Sequence, residues 1–196
     1  MLGFAAAVFF LIITPGPGVL STAGVGSGFG RAAGLRYVTG LFIGTNLVAL
    51  AVVSGLAAVV LADPRIRTVL FIASVAYLFY LAMRIAFAGS KLAFIERQNP
   101  PGVRGGILLQ AINPKAYAVN TALFTGFGFM PQNFALEMVI KFAIMNAIWV
   151  PIHLAWLGAG IALRRMDLAP GVQRAVNVAM AVSMLLVVGI AAYSQL

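Results

Sequence analysis

The chain has 196 residues, of which 62% are hydrophobic and 9% charged, against about 25% charged residues in a typical soluble domain, so we expect an integral membrane protein. Its net charge of +9 does not indicate nucleic-acid binding, because the basic residues separate the apolar segments and do not cluster on one element. With no cysteine, one histidine and four acidic residues, the composition predicts no disulfide, metal ion or cofactor.

Long stretches without Asp, Glu, Lys or Arg predict an all-α fold with six transmembrane helices, since a span needs about 20 mostly apolar residues. No basic residues precede the first apolar run, so we interpret it as a retained span and not as a cleaved signal peptide. The predicted helices cover residues 1–26, 37–62, 67–88, 105–129, 136–163 and 172–195.

A break is predicted in helix 1 at Thr14-Pro15-Gly16-Pro17. Proline lacks an N–H group, so each of the two prolines leaves a carbonyl of the preceding turn without its helical partner. The segment after Pro17 begins a new half-helix, whose N–H groups and positive dipole end favour an anion such as a carboxylate. The alternative is a simple kink packed against neighbouring helices.

A second break is predicted in helix 4 at Asn113-Pro114-Lys115. Lys115 lies too deep in this helix to reach either membrane surface, and a lysine at the centre of a span costs about 2.5–3.5 kcal/mol. It should therefore face the interior, with either the carbonyls released around Pro114 or a transported anion as its partner. A lysine that caps those carbonyls permanently is the structural alternative, and the two interpretations are compatible.

The two halves of the chain, residues 1–98 and 99–196, read as repeats within one transmembrane domain. Superposing Pro15 on Pro114 places Asn46 within one residue of Asn146. Each half has three spans, an odd number, so the second repeat is expected to be inverted relative to the first. Broken helices at membrane depth line cavities, and a matching pair of them is the best sequence indicator of a transporter's binding site.

Further polar residues lie within the predicted spans. His153 is the single histidine, and an unperturbed histidine titrates near neutral pH, so it and Lys115 are the candidates for a proton relay. A histidine bonded across a helix interface is the simpler alternative. Asn46, Asn120 and Asn146 could line a polar cavity or merely bridge helices.

Basic residues also predict the orientation. Nine lysines and arginines lie in connections 1–2, 3–4 and 5–6. Connections 2–3 and 4–5 are predicted to hold three, namely Arg65, Arg67 and Lys141. Cytoplasmic loops carry the excess of basic residues, so both termini are expected in the periplasm.

These motifs resemble the LysE/RhtB family of amino-acid exporters over nearly the whole chain. The resemblance implies efflux of amino acids or derivatives, such as lysine, arginine, threonine, homoserine or its lactone, across the bacterial inner membrane, with protons as the usual exchange ion. The family commonly has Asn or Asp where this chain has Gly18. The motifs are Thr14-Pro15-Gly16-Pro17, Gly30-Arg31-Ala32-Ala33-Gly34, the Gly40/Gly44 helix, Ala76-Tyr77-Leu78 and Asn113-Pro114-Lys115-Ala116.

The preferred hypothesis is a secondary transporter for a small zwitterionic or cationic amino acid, with protons or another ion in exchange. Lys115 and the half-helix N–H groups would hold the carboxylate, and the released carbonyls would hold the ammonium. Export of a metal cation is less favoured because the predicted spans contain no carboxylate at depth. A membrane enzyme is not favoured because the sequence offers no set of catalytic residues. A scaffold protein is not favoured because it would not need the two helix breaks. The expected partners of the protein are its substrate and the lipid bilayer. The sequence does not decide whether the protein forms a homo-oligomer.

Overall fold

The computed structural model describes residues 1–86, 99–166 and 168–193. Every regular element in these ranges is an α-helix, which confirms the predicted all-α class. The helices are α1 (Leu2–Ile13), α2 (Pro17–Val53), α3 (Leu56–Ala62), α4 (Pro64–Ala86), α5 (Val103–Ile112), α6 (Pro114–Gly126), α7 (Phe134–Arg165) and α8 (Pro170–Tyr193).

Helices 1 and 4 of the prediction are each divided in two. The first consists of α1 and the beginning of α2, and the fourth consists of α5 and α6. Pro17 and Pro114 each stand at the first position of the following helix, where a missing N–H costs nothing. The ends of predicted helices 3 and 6 and most of the connection between the two halves lie outside the described residues.

The predicted connection between helices 1 and 2 is much shorter than expected. Helix continues through residues 27–36, and Gly30 alone departs from helical geometry, with φ 80° and ψ −170°. A positive φ is accessible to glycine without a Cβ clash, so one residue turns the chain. The second predicted helix is itself interrupted after Val53, where Gly55 has φ 77° and α3 begins.

Three helices in the described chain, α2, α4 and α7, are long and apolar enough to cross a membrane, and α1 and α5 are shorter apolar helices. Large apolar side chains also cover the outer surface, as a bilayer requires. Exposed examples are Phe10, Leu50, Val59, Val69, Ile72, Phe79, Val139 and Leu154.

Helix α2 is the centre of the bundle and packs against α4, α5, α6, α7 and α8. Small residues permit the closest approaches, since a Cβ on Gly40 would overlap the Val103 backbone and one on Gly160 would overlap the Ala23 backbone. The main apolar cluster, which includes the fully buried Tyr37 and Leu81, fills the space around α2. This packing holds the two chain breaks against each other.

Candidate functional site

The first break is a short extended segment between α1 and α2. Thr14 Oγ1 donates a 2.5 Å hydrogen bond to the Phe10 carbonyl, and Gly16 is fully extended, with φ −166° and ψ 178°. The Gly16 carbonyl accepts from the Leu20 N–H at 3.0 Å. The carbonyls of Thr14 and Pro15 precede this first helical bond of α2, so they are left for a donor from outside the segment.

The second break is built around Asn113, which is 4% exposed. Its Oδ1 accepts from the Lys115 N–H at 3.1 Å, the arrangement of a helix N-cap. Its Nδ2 donates to Gln110 Oε1 at 3.2 Å, so the cap is anchored to the preceding helix. Together with Pro114 at the first helical position, these contacts fix where Lys115 leaves α6.

Lys115 connects the two breaks. Its Nζ donates to the Thr14 carbonyl at 2.8 Å and lies 3.4 Å from the Pro15 carbonyl. A Cβ on Gly16 would lie 2.8 Å from Lys115 Cδ and 2.9 Å from Nζ, so the glycine leaves room for the lysine. The prediction that Lys115 bonds to the carbonyls around Pro114 is wrong. The lysine bonds instead to carbonyls of the other broken helix.

A cavity of about 60 Å³ lies beside this contact, between α1, α2, α5, α6 and α7. Five residues predicted for the site line it: Thr14, Gly16, Asn113, Lys115 and His153. Pro15, Pro17 and Pro114 shape the breaks but are not among its lining residues. The remaining wall is formed by Leu11, Ile12, Gly18, Val19, Thr45, Gln110, Ala116, Val119, Asn120, Leu123, Met145 and Trp149.

Asn46 and Asn146 bond to each other and do not line the cavity. Each Nδ2 donates to the other's Oδ1, at 3.0 and 2.9 Å, and Asn46 Nδ2 also reaches the Phe42 carbonyl at 2.9 Å. This reciprocal pair joins α2 to α7 at the residues next to Thr45 and Met145, which line the cavity. Of the two roles considered for these residues, the geometry favours the bridge between helices.

His153 lies in α7 with its ring stacked on Trp149 at a centroid distance of 3.5 Å. Its Nδ1 is 3.0 Å from the Trp149 carbonyl. A carbonyl oxygen only accepts, so we assign the proton of the neutral ring to Nδ1, which leaves Nε2 as an acceptor. A Cβ on Gly18 would lie 3.5 Å from Nε2, which places that acceptor at the cavity edge beside α2.

Asn120 lines the cavity, which is the first of the two roles considered for it. It is 2% exposed, and its Nδ2 donates to the Ala116 carbonyl at 2.7 Å. Among the residues that the structure describes, its Oδ1 has no hydrogen-bond partner. The sequence did contain a signal, because Asn120 lies seven residues after Asn113 and therefore on the same face of the helix.

Lys141 was wrongly assigned to a connection. It is 1% exposed within α7 and forms a 2.8 Å ion pair with Glu137. Lys141 Nζ also donates to the Phe124 carbonyl at 3.1 Å, while Glu137 Oε2 accepts from the N–H groups of Phe129 and Met130 at 3.1 and 2.5 Å. The pair secures the loop between α6 and α7 and contributes no charge to a membrane surface.

Comparison with known proteins places this geometry in context. The family model described as LysE type translocator matches residues 9–195, which confirms the resemblance drawn from the motifs. An uncharacterized membrane protein of Pseudomonas aeruginosa is 27% identical over 192 residues, a match that covers 86% of this chain and 85% of the relative. No solved structure matches the chain significantly.

Proposed function

Because the chain belongs to the LysE type translocator family, we propose that it is a secondary transporter that exports amino acids or amino-acid derivatives across the bacterial inner membrane in exchange for protons. The family assignment supports membrane export and not an enzymatic activity. The observation that carries the proposal is the contact between the two broken helices, where Lys115 reaches the Thr14 carbonyl beside a cavity.

The proposed architecture is two inverted repeats of three spans. Span 1 combines α1 with α2 up to Gly30, span 2 continues from Arg31 through α3, and span 4 combines α5 and α6. Two contacts between residues about 100 positions apart support the repeat, namely Lys115 with Thr14 and Asn46 with Asn146. Matching positions in the two halves thus lie together at the centre of the bundle. Spans 3, 5 and 6 are α4, α7 and α8.

Contacts at the two ends of the bundle support the proposed orientation. Arg164 Nη1 donates to the Gly28 carbonyl at 2.7 Å, and the Arg84 guanidinium lies 5.5 Å from the centre of the Phe29 ring. The described residues at the edges of connections 1–2, 3–4 and 5–6, the connections that carry most basic residues, therefore gather at one end. Phe4 and Lys141 lie close together at the other end, with 5.8 Å between Nζ and the ring centre. The basic end is proposed to be cytoplasmic and both termini periplasmic.

The proposed carboxylate site consists of Lys115 and the beginning of α2. Gly18 and Val19 line the cavity within the first turn of that helix, where N–H groups lack intrahelical partners and favour an anion. In the described conformation the Lys115 ammonium is held by the Thr14 and Pro15 carbonyls. On substrate binding it would exchange one of these carbonyls for a carboxylate oxygen, so that binding loosens the contact between the two breaks.

Proton exchange requires a titratable group in the transport path. Lys115 and His153 are the titratable side chains in the described cavity wall, and they lie on different helices, α6 and α7. Protonation of His153 Nε2 would add a positive charge to a cavity that already contains the lysine ammonium. Mutual repulsion of these charges would favour release of a cationic group or of the proton itself.

The direct test uses purified protein in proteoliposomes loaded with labelled amino acids, under an imposed pH gradient. We expect efflux of at least one amino acid that depends on the protein and accelerates with the gradient. Empty liposomes and liposomes without a gradient are the controls. Failure to move any member of a panel of neutral, basic and acidic amino acids would contradict the proposal, and efflux of a metal cation instead would support the competing function.

A further inference from the structure

The position of the Lys115 ammonium makes the carbonyls of the first break poor partners for the substrate's ammonium group. Lys115 Nζ takes the Thr14 carbonyl at 2.8 Å and approaches the Pro15 carbonyl at 3.4 Å. A second cation next to this ammonium would be repelled. A zwitterionic substrate whose carboxylate binds Lys115 therefore needs hydrogen-bond acceptors for its ammonium elsewhere in the cavity wall.

Asn120 supplies such an acceptor from α6. Its Oδ1 is the buried side-chain oxygen that has no hydrogen-bond partner in the described chain, although the residue is 2% exposed and lines the cavity. Buried polar atoms are nearly always paired, and an exception calls for an explanation. An oxygen kept free at the wall of a binding cavity is explained if a ligand supplies its donor.

His153 supplies a second acceptor from α7. Its Nδ1–H is used by the Trp149 carbonyl at 3.0 Å, and stacking on Trp149 holds the ring in that orientation. The lone pair of Nε2 is then directed to the cavity side, next to Gly18. The absence of a side chain at position 18 keeps this acceptor accessible.

The same wall restricts the substrate's side chain. No aspartate or glutamate is among the described lining residues, so a basic side chain would find a lysine and no opposite charge. Apolar residues such as Leu11, Val119, Leu123 and Met145 form much of the surface. The cavity volume of about 60 Å³ exceeds the roughly 10–15 Å³ that a single water molecule requires but is small, which favours a small substrate over a large one.

We propose that Asn120 Oδ1 and His153 Nε2 form the ammonium subsite of the cavity, and that the cavity consequently selects small neutral amino acids over basic ones. This inference rests on the proposed transport function and narrows its substrate class. Asn120 contacts the substrate directly in this account, whereas Trp149 is a positioning residue that acts through the histidine.

The test measures binding to the purified protein by ligand-induced thermal stabilisation and measures efflux from proteoliposomes. The probes are alanine, serine and threonine, the basic amino acids lysine and arginine, and N-acetylalanine, which keeps the carboxylate but lacks the ammonium. The variants are Asn120→Ala, Asn120→Asp and the control Thr121→Ala, which changes an exposed residue of the same helix outside the cavity wall.

We expect the wild type to bind and export the small neutral amino acids and to discriminate against lysine, arginine and N-acetylalanine. Asn120→Ala should weaken alanine binding by about tenfold to a hundredfold, the usual effect of losing one hydrogen bond to a charged group. It should leave the weak response to N-acetylalanine unchanged. Asn120→Asp should restore alanine binding because a carboxylate also accepts from an ammonium, and Thr121→Ala should behave as wild type.

Stability of the ligand-free protein separates this role from a structural one. In the described chain Asn120→Ala removes no partner of Oδ1 and loses the Nδ2 bond to the Ala116 carbonyl, so its unfolding temperature should fall by no more than the loss of one hydrogen bond explains. A wild type that exports lysine as well as alanine, or an Asn120→Ala variant with undiminished alanine binding, would overturn the subsite while leaving the transport function intact. A wild type that neither binds nor exports any amino acid would overturn both.

Discussion

At the scale of single residues, Lys115 and the first helix break stabilise each other. A lysine within a span costs about 2.5–3.5 kcal/mol, and a backbone carbonyl at membrane depth is costly too when it has no donor. The 2.8 Å bond from Lys115 to the Thr14 carbonyl removes part of both costs at once. The importance of Lys115 could therefore be predicted from its depth within a span. Its partner could not, because the partner depends on how the two halves of the chain pack.

Replacing Lys115 by methionine keeps the length of the side chain and removes its charge. We expect export to fall by about tenfold to a hundredfold, because the carboxylate loses its charged hydrogen bond, and thermal stability to fall because the Thr14 and Pro15 carbonyls lose their donor. Proteoliposome efflux and thermal unfolding measure the two effects. Arg67→Met, at an exposed position in α4, is the control, and unaltered export by Lys115→Met would exclude the lysine from the mechanism.

Replacing His153 by glutamine tests the proton relay. Glutamine retains hydrogen-bonding groups but does not titrate, so export by His153→Gln should lose its dependence on pH between about 5 and 8, the range over which histidine changes charge. The measurement is the efflux rate from proteoliposomes across that range at a fixed gradient. A variant whose pH profile matches the wild type would show that the histidine is not the relay.

At the scale of elements, the helix breaks were predictable and the turn at Gly30 was not. Prolines identify the breaks because they lack the N–H that a continuous helix uses. Gly30, by contrast, is the last residue of the run 24–30, in which every second residue is glycine. Nothing in the local sequence distinguishes it from the other glycines as the site of the turn. Contacts from distant residues select it, since Arg164 binds the Gly28 carbonyl and Arg84 packs over Phe29.

The ion pair of Glu137 with Lys141 was also missed, although its spacing of four residues is typical of a helical pair. Burial was the unpredictable part, because it depends on the aromatic residues that close over it. The Lys141 ammonium lies 5.8 Å from the Phe4 ring centre and 5.7 Å from that of Phe129. Aromatic faces attract cations, which stabilises the lysine ammonium. The same rings also exclude water from the pair, which costs desolvation energy.

Breaking this pair should destabilise the protein strongly. Lys141→Met leaves the Glu137 carboxylate without its ion-pair partner, and we expect a clear loss of stability, measured by thermal or denaturant unfolding in detergent. The double variant Glu137→Gln/Lys141→Met removes both charges and should recover much of that loss. A single variant as stable as wild type would mean that the pair is solvated and not buried.

At the scale of the whole molecule, the fold class and the family followed from the sequence, whereas the set of residues that line the cavity did not. Uncharged stretches indicate spans regardless of packing, and the paired breaks indicate a cavity. The sequence left open whether the asparagines line the cavity or bridge helices, and the structure divides them: Asn46 and Asn146 bond to each other beside the cavity, whereas Asn120 lines it. Both outcomes depend on how helices rotate about their axes, and that rotation is set by the close contacts of α2.

The central claim, that the two broken helices enclose a solute path, is tested most directly by cysteine labelling, because the chain has no cysteine of its own. Val119→Cys lies in the cavity wall, and Ala118→Cys is exposed on the adjacent face of α6, where we expect lipid. In proteoliposomes, a small charged methanethiosulfonate reagent should modify Val119→Cys, more slowly when a transported amino acid is present, and should not modify Ala118→Cys. Labelling of Ala118→Cys with no reaction at Val119→Cys would contradict the account.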